Sequence, residues 1–216
     1  MYKLYGLSQS GNTFKVALTL QALQQPWSAV HVSFEDFTNG VTRTESWREG
    51  HNAMGEVPVL EDGARRMAQS AAIMLYLARK HGKFGGNSDD ERQEVLQWLF
   101  FDNHKFTANF ATYRFMHSLV TAAPDPGVMK FLRGRIDSAF GIVNKHLSSR
   151  DYLVGAQPTI ADFSLCGYLY YPTEESGISI PEQYPAIDAW RKRIRQVPGW
   201  VGPYELLPGE RVQPRR

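Results

Sequence analysis

The first 82 residues alternate between strand-like and helix-like hydrophobic patterns. Residues 2–6 alternate apolar and polar positions as a strand does, and residues 27–34 have the pattern of a second strand. Between them, residues 13–23 carry apolar side chains around most of the helix surface, which predicts a largely buried helix. A strand, a helix and a second strand in succession predict parallel pairing through a right-handed crossover.

The remainder of this segment predicts a hairpin and a closing helix. A short helix near residues 42–50 precedes the run VPVLEDGARRMA at 57–68, which is typical of a β-hairpin with Asp62 and Gly63 as its turn. Residues 69–82 have the apolar spacing of a helix and end at Gly82, a typical stop signal.

Beyond these elements, the pattern changes to helices alone. Residues 83–90 are glycine-rich and polar, and no strong strand signal follows them. Helical patterns cover residues 91–117, 128–147, 159–171 and 187–197. We therefore predict an α/β plus all-α fold, with an α/β domain at 1–82, a linker at 83–90 and an all-helical domain with an extended tail at 91–216.

Composition and charge narrow the classes of partner. The chain of 216 residues is 43% hydrophobic and 21% charged, as soluble globular proteins are, and its formal net charge is only +2. Dispersed Lys and Arg favour neither nucleic acid nor a membrane surface, and no apolar window approaches a membrane span. The single cysteine, Cys166, excludes an intramolecular disulfide and predicts a cytoplasmic protein. The histidines lack metal-ligand spacing, so we expect no metal.

Pro58 stands inside the apolar run VPVL, where it cannot donate to a sheet ladder. One interpretation is an ordinary trans proline at a sheet edge. The other is a cis-proline that turns the main chain of Val57 outward, so that Val57 offers one donor and one acceptor to an extended peptide. The stretch alone leaves both open.

Two polar segments lie where strands meet helices. Ser10 and Asn12 follow the first strand, the position at which α/β folds usually place chemistry. Without a G-x-S-x-G motif, Ser10 is predicted to be a hydrogen-bond donor rather than a nucleophile. If the ligand carries a thiol, this donor would favour the thiolate. Gln69 and Ser70 open the closing helix, where unpaired N–H groups would bind a carboxylate. The alternative for Ser70 is a plain N-cap.

The order of these motifs resembles the cytosolic glutathione transferase superfamily. The matching segments are SGNTFKV at 10–16, N-x-x-G-x-V-P at 52–58, QS at 69–70 and T-I-A-D at 159–162. The resemblance covers nearly the whole chain. It implies a thioredoxin-like first domain with a cis-proline, a helical-bundle second domain, glutathione as co-substrate and a homodimer.

The resemblance also implies roles for individual residues. Ser10 matches the thiol-activating serine of the theta-like and zeta-like classes, and Asn12 could share the thiol contact. Val57, before Pro58, matches the residue that pairs with the cysteinyl backbone of glutathione. Gln69 and Ser70 match the pair that holds the γ-glutamyl end.

Three positions depart from the family pattern: Ala53 replaces the usual proline, Gln69 replaces the commoner Glu, and Glu56 also differs. Glu56 stands where many members have Lys or Gln next to the glutathione backbone, and its carboxylate could repel the glycyl carboxylate of the ligand. Arg43, Arg48 or His51 could compensate for that repulsion.

In the helical domain, the T-I-A-D segment is expected to be structural: Thr159 caps a helix and Asp162 bonds back to it. Five residues at helical spacing either line a pocket for an apolar co-substrate or form core, namely Leu99, Asn103, Phe106, Phe110 and Tyr113.

We therefore expect an enzyme that transfers glutathione to a small, apolar electrophile seated against the helical domain. A glutathione-dependent disulfide reductase or isomerase of the same fold is an alternative within the family. A non-catalytic binding or regulatory module is a third interpretation, and the substitution at Glu56 motivates it.

Overall fold

A computed structural model describes residues 1–215, and the chain divides into two compact units. The first unit consists of Met1–Lys83 and Val197–Arg211, and the second consists of Phe84–Gln196 with the described residues that follow Arg211. The sequence placed residues 197–211 in the helical domain, whereas the structure groups them with the α/β unit.

The first unit contains a four-stranded mixed sheet with helices. Its elements up to residue 83 are β1 Tyr2–Gly6, α1 Gly11–Ala22, β2 Trp27–His31, α2 Phe34–Thr38, α3 Glu45–Gly50, β3 Val59–Asp62, β4 Arg65–Ala68 and α4 Ser70–His81. The strands lie in the order β2-β1-β3-β4. β1 pairs with β2 in parallel, which confirms the predicted crossover, and β3 pairs antiparallel with both β1 and β4.

Two boundaries differ from the sequence-based ones. β2 ends at His31 because Ser33 already caps α2, its hydroxyl oxygen accepting from the Asp36 N–H at 2.9 Å. The hairpin loop is Gly63–Ala64, since Asp62 still pairs with Arg65. Gly63 has φ +61°, and glycine is the residue that tolerates a positive φ at this first loop position.

The core of the first unit joins the sheet to α1 and α4. Leu4 and Leu60 from the sheet, Phe14 and Leu18 from α1, and Ile73 from α4 are all fully buried. The predicted burial of α1 is confirmed, because ten of its twelve residues are buried.

The described residues of the second unit form helices joined by loops, with no strand among them. Its helices are α5 Asp89–Phe101, α6 Thr107–Arg114, α7 Pro126–Leu147, α8 Ile160–Leu165, α9 Ile180–Gln183 and α10 Pro185–Ile194. π-helical turns at Asp102–Phe106 and Phe115–Leu119 follow α5 and α6, so the run predicted at 91–117 is one continuous helical segment. The helix predicted at 159–171 is shorter, because α8 tightens into a 3₁₀ turn at Cys166–Tyr168.

Asp162 holds together the segment before and within α8. The predicted capping box with Thr159 is present. The buried carboxylate also accepts from the Leu153 N–H and from the indole N–H of Trp190, both at 2.9 Å. Burial raises the pKa of Asp162, and its four hydrogen bonds act in the opposite direction.

The aromatic positions of α5 and α6 contribute mainly to the core of this unit. Leu99, Phe106 and Phe110 are at most 3% exposed. Phe106 stacks on Phe140 of α7 with ring centroids 4.2 Å apart, and Phe110 tilts against the same ring at 5.2 Å. Asn103, by contrast, is exposed. The core interpretation therefore accounts for three of the five predicted positions.

The segment Val197–Arg211 contains α11, Pro203–Leu206, which packs against α1. The side-chain amide of Gln9 donates to the Glu210 carbonyl at 2.7 Å, and that of Gln21 donates to the Gly199 carbonyl at 3.3 Å. None of the helices within residues 1–215 combines the length and apolar character that a membrane crossing needs.

Candidate functional site

Ser10 is the N-cap of α1. Its hydroxyl oxygen accepts from the Thr13 N–H at 3.2 Å, and its own N–H donates to the Leu7 carbonyl at 3.1 Å. These bonds fix the side chain at the start of the helix while using the hydroxyl only as an acceptor. Within residues 1–215, no acceptor takes the hydroxyl hydrogen, which is therefore available to a ligand.

The first turn of α1 is electropositive. It contains no acidic residue that would offset the positive end of the helix macrodipole. The Oδ1 atom of Asn12 is shielded from solvent and has no donor among the described residues. Ser10, predicted together with Asn12 at the start of this helix, thus retains a hydroxyl donor there, whereas the Oδ1 atom of Asn12 is shielded.

The first turn of α1 packs closely against the end of β1. A Cβ atom at Gly6, the last residue of β1, would lie 2.3 Å from Cγ2 of Thr13. Only a residue without a side chain lets α1 begin this close to the strand. The position of Ser10 therefore depends on a glycine that has no chemistry of its own.

The Val57–Pro58 peptide bond is cis, as one of the two sequence interpretations required. β3 begins only at Val59, which pairs with Tyr5. Among the described residues, neither the N–H nor the carbonyl of Val57 has a hydrogen-bond partner. Val57 is half-buried and retains one main-chain donor and one acceptor for an extended ligand.

Gln69, rather than Ser70, occupies the N-cap position of α4. Gln69 has φ +68°, a left-handed conformation that is uncommon outside glycine, and its side chain does not cap the helix. Ser70 is the first helical residue and only 5% exposed, and its hydroxyl has no partner among the described residues. The plain N-cap interpretation of Ser70 is therefore wrong.

Glu56 contacts Gln69 through its side chain. The Gln69 amide nitrogen lies 2.8 Å from Oε2 of Glu56 and 3.4 Å from the sulfur of Met54. Asn52 holds the main chain of Glu56, donating to its carbonyl at 2.8 Å and accepting from its N–H at 3.4 Å.

Asn52 belongs to the N-x-x-G-x-V-P segment, but its contact with Glu56 was not predicted, and nor was the contact of Met54 with Gln69. An asparagine four residues before Glu56, in a loop that leads into a proline, is the signal that could have identified these two hydrogen bonds. Of the suggested compensating cations, His51 is stacked on Trp47 at 3.9 Å, with Nδ1 3.2 Å from the Trp47 carbonyl oxygen.

The strand register brings these segments to one end of the sheet. Tyr5 near the end of β1 pairs with Val59 at the start of β3, and Val59 pairs with Ala68 at the end of β4. Ser10 lies beyond β1, Val57 precedes β3 and Gln69 follows β4. A hydroxyl donor, a main-chain donor and acceptor, and a helix N-terminus therefore share this end.

Comparison with known proteins matches both parts of the chain. Residues 4–88 match the family model for the glutathione S-transferase N-terminal domain, and residues 113–198 match the model for the C-terminal domain. Glutathione S-transferase D6 of Drosophila melanogaster is 27% identical over 201 residues, covering 91% of this chain and 89% of the relative.

Solved structures agree with the family models. A glutathione S-transferase from Pseudomonas fluorescens is 33% identical with a TM-score of 0.83, and the match covers 94% of this chain and 98% of that chain. A possible glutathione S-transferase from Rhodopseudomonas palustris is also 33% identical, with a TM-score of 0.84 and coverage of 94% and 90%. The thioredoxin-like first domain and helical second domain are thus confirmed, and the chain belongs to the glutathione S-transferase family.

Proposed function

We propose that the protein is a glutathione transferase that holds glutathione as a thiolate at Ser10 and transfers it to an apolar electrophile. The observation that carries this proposal is the state of the Ser10 hydroxyl. Its oxygen is occupied as the cap of α1, and its hydrogen is left to donate to an anion at the helix N-terminus. A thiolate sulfur is an acceptor of the required charge.

The hydroxyl and the helix N-terminus can together supply the free energy needed to stabilise a thiolate. Lowering a thiol pKa from about 8.5 to about 6.5 requires preferential stabilisation of the thiolate by roughly 2.7 kcal/mol. A hydrogen bond to a charged group contributes about 1.5 to 3 kcal/mol. The helix macrodipole adds about 0.3 to 1 kcal/mol, and no acidic side chain in the first turn of α1 opposes it.

Groups at the same end of the sheet are suited to bind the backbone and a carboxylate of glutathione. The unpaired N–H and carbonyl of Val57 fit the backbone of a cysteinyl residue, as in strand addition. The hydroxyl of Ser70 and the start of α4 fit a carboxylate. The thiolate would then attack the electrophile, forming a sulfur–carbon bond while the leaving group departs with its electron pair or the acceptor is protonated.

Calorimetric titration of glutathione in two buffers of different ionisation enthalpy tests the role of Ser10. We expect wild type to release protons on binding, Ser10→Thr to retain this release, and Ser10→Ala to lose most of it. Turnover of an aryl halide by Ser10→Ala should fall about 10- to 100-fold, which corresponds to the loss of one charge-assisted hydrogen bond.

Ser88→Ala is the matched control, because Ser88 caps α5 by accepting from the Glu91 N–H at 3.1 Å. Each Ala variant loses a helix cap worth about 1 kcal/mol, so stability alone should not distinguish them. Unchanged proton release and turnover in Ser10→Ala would refute the thiolate role. Faster turnover of hydroxyethyl disulfide than of any carbon electrophile would instead favour the disulfide reductase.

A further inference from the structure

We propose that Met54, in the loop between α3 and β3, is a reversible oxidation site at which conversion of the thioether to a sulfoxide weakens the binding of glutathione. The oxidant is a hydroperoxide, and a dithiol-dependent methionine sulfoxide reductase restores the thioether. The effect on binding rests on the proposed function, whereas the reactivity of the sulfur does not.

Met54 is open to an oxidant in solution. It is 56% exposed, and of the six methionines in the sequence only Met1, at 83%, is more exposed. The other four are buried or half-buried: Met67, Met74, Met116 and Met129. A peroxide must reach the sulfur in order to oxidise it, so we expect Met54 to react ahead of these four residues.

The sulfur of Met54 contacts the residue that precedes α4. The side-chain amide of Gln69 donates to this sulfur at 3.4 Å and to Oε2 of Glu56 at 2.8 Å. A thioether is a weak acceptor, so the carboxylate has the stronger of the two bonds. Oxidation changes that balance, because it places a polar oxygen on the sulfur beside the same amide.

The main chain of the loop has little freedom to carry Met54 away from this contact. Gly55, the next residue, has φ +68°, and a Cβ atom there would lie 2.6 Å from the carbonyl oxygen of Thr42. The Gly55 N–H donates to the Asn52 carbonyl at 3.1 Å. The side chains must therefore accommodate the new oxygen: either it takes the Gln69 amide for itself, or the sulfur leaves Gln69 altogether.

Gln69 is sensitive to either change. Its φ of +68° is uncommon outside glycine, and such a conformation persists only where the surrounding contacts hold it. The bonds to Met54 and Glu56 are two of those contacts. Ser70 follows directly, and its hydroxyl and the helix N–H groups beside it are the proposed carboxylate site. A displacement of Gln69 is therefore passed to the group that would bind the ligand.

The oxidation is a two-electron step that consumes no part of the ligand. The sulfur attacks one peroxide oxygen, and the sulfur–oxygen bond forms as the oxygen–oxygen bond breaks. The hydrogen on the transferred oxygen passes to the leaving oxygen, which departs as water or an alcohol. In the reverse direction, two thiols of the reductase are oxidised to a disulfide, and the sulfoxide oxygen leaves as water.

Peptide mass mapping of the full chain during a hydrogen peroxide time course measures the reactivity. We expect Met54 to be oxidised at least about 5-fold faster than Met129. Calorimetric titration with S-methylglutathione, after the peroxide is removed, measures the effect on binding. Oxidised wild type should bind this probe about 5- to 10-fold more weakly than untreated protein, as the disturbance of one or two hydrogen bonds implies. Treatment with the reductases for both sulfoxide epimers should restore the affinity to within about 2-fold.

Met54→Leu tests whether this residue carries the effect, because it removes the oxidisable sulfur. Its affinity before and after peroxide treatment should agree within about 2-fold. Met129→Leu is the matched control in α7 and should retain the full loss.

Three results would overturn the inference: oxidation of Met54 no faster than that of Met129, unchanged affinity of oxidised wild type, or an equal loss in oxidised Met54→Leu. A loss that the reductases do not reverse would overturn its reversibility. Absence of binding in untreated wild type would overturn the proposed function, and the effect on binding with it.

Discussion

Removing the carboxylate of Asp162 should destabilise the protein more than any single helix cap can explain. The side chain is fully buried and accepts from three rigid donors: the Leu153 N–H at 2.9 Å, the Thr159 N–H at 2.8 Å and the Trp190 indole at 2.9 Å. Asp162→Ala leaves all three N–H groups without this acceptor in the protein interior.

The magnitude follows from those donors. Each buried donor without a partner costs about 1 to 3 kcal/mol, so three cost about 3 to 6 kcal/mol when some relaxation is allowed. Typical domains have a free energy of unfolding of about 5 to 15 kcal/mol, which makes this loss a large share of the total. Asp125→Ala is the matched control, because Asp125 caps α7 in the open, accepting from the Val128 N–H at 3.0 Å, and should cost only about 1 kcal/mol.

Urea unfolding followed by tryptophan fluorescence measures both variants, and Trp190 reports directly on the altered site. Asp162→Asn should fall between wild type and Asp162→Ala, since its amide retains one oxygen. If Asp162→Ala loses no more stability than Asp125→Ala, the reasoning from buried donors is refuted. Glutathione affinity of the folded fraction should be unchanged, in keeping with a structural role.

Two further predictions concern buried and surface charges. Arg114→Met removes the guanidinium that donates through Nε to the buried carboxylate of Glu175 at 2.9 Å, and should cost about 3 to 5 kcal/mol in urea unfolding. Adding Glu175→Gln should recover part of that loss, and no recovery would contradict the account. At the surface, hydrogen bonds from Lys80 and then Tyr76 hold the pKa of Asp62 below its usual value. Because the folded pKa is the lower one, this stabilisation is present above the unfolded pKa of about 3.9 and is lost as pH falls through the folded value. Asp62→Asn should therefore flatten the decline of the free energy of unfolding in acid, measured by urea titrations over a pH series, and an unchanged slope would count against it.

Signals close together in the sequence predicted the site most reliably. The position of Ser10 at the start of α1 and the capping box at Asp162 each depend on residues within a few positions of one another, whereas the stretch around Pro58 left the cis and trans forms open. Turn and cap chemistry acts over this range, so a pattern in the sequence is enough to identify it.

Features that depend on distant residues or on fine backbone geometry were missed. The contact from Gln69 to Glu56 spans thirteen positions and depends on how β3 and β4 fold back. The π-helical turn at Asp102–Phe106 leaves the apolar spacing helical and so has no signature in the pattern. The hairpin loop lies one residue later than predicted. By residue type alone, Asp62 and Gly63 both suit a loop, so the pattern did not show that Asp62 still pairs.

The bond between Gln9 and Glu210 joins residues 201 positions apart, and it lies directly before the residue proposed to bind the thiol. The α/β unit is therefore not a continuous piece of polypeptide. During synthesis from the N-terminus, the helical segment between its two parts emerges before the last part can dock. A chain that stops before residue 197 lacks α11, which packs against α1. It also lacks the Glu210 carbonyl that accepts from Gln9, the residue before Ser10. The completed site thus requires translation past residue 210.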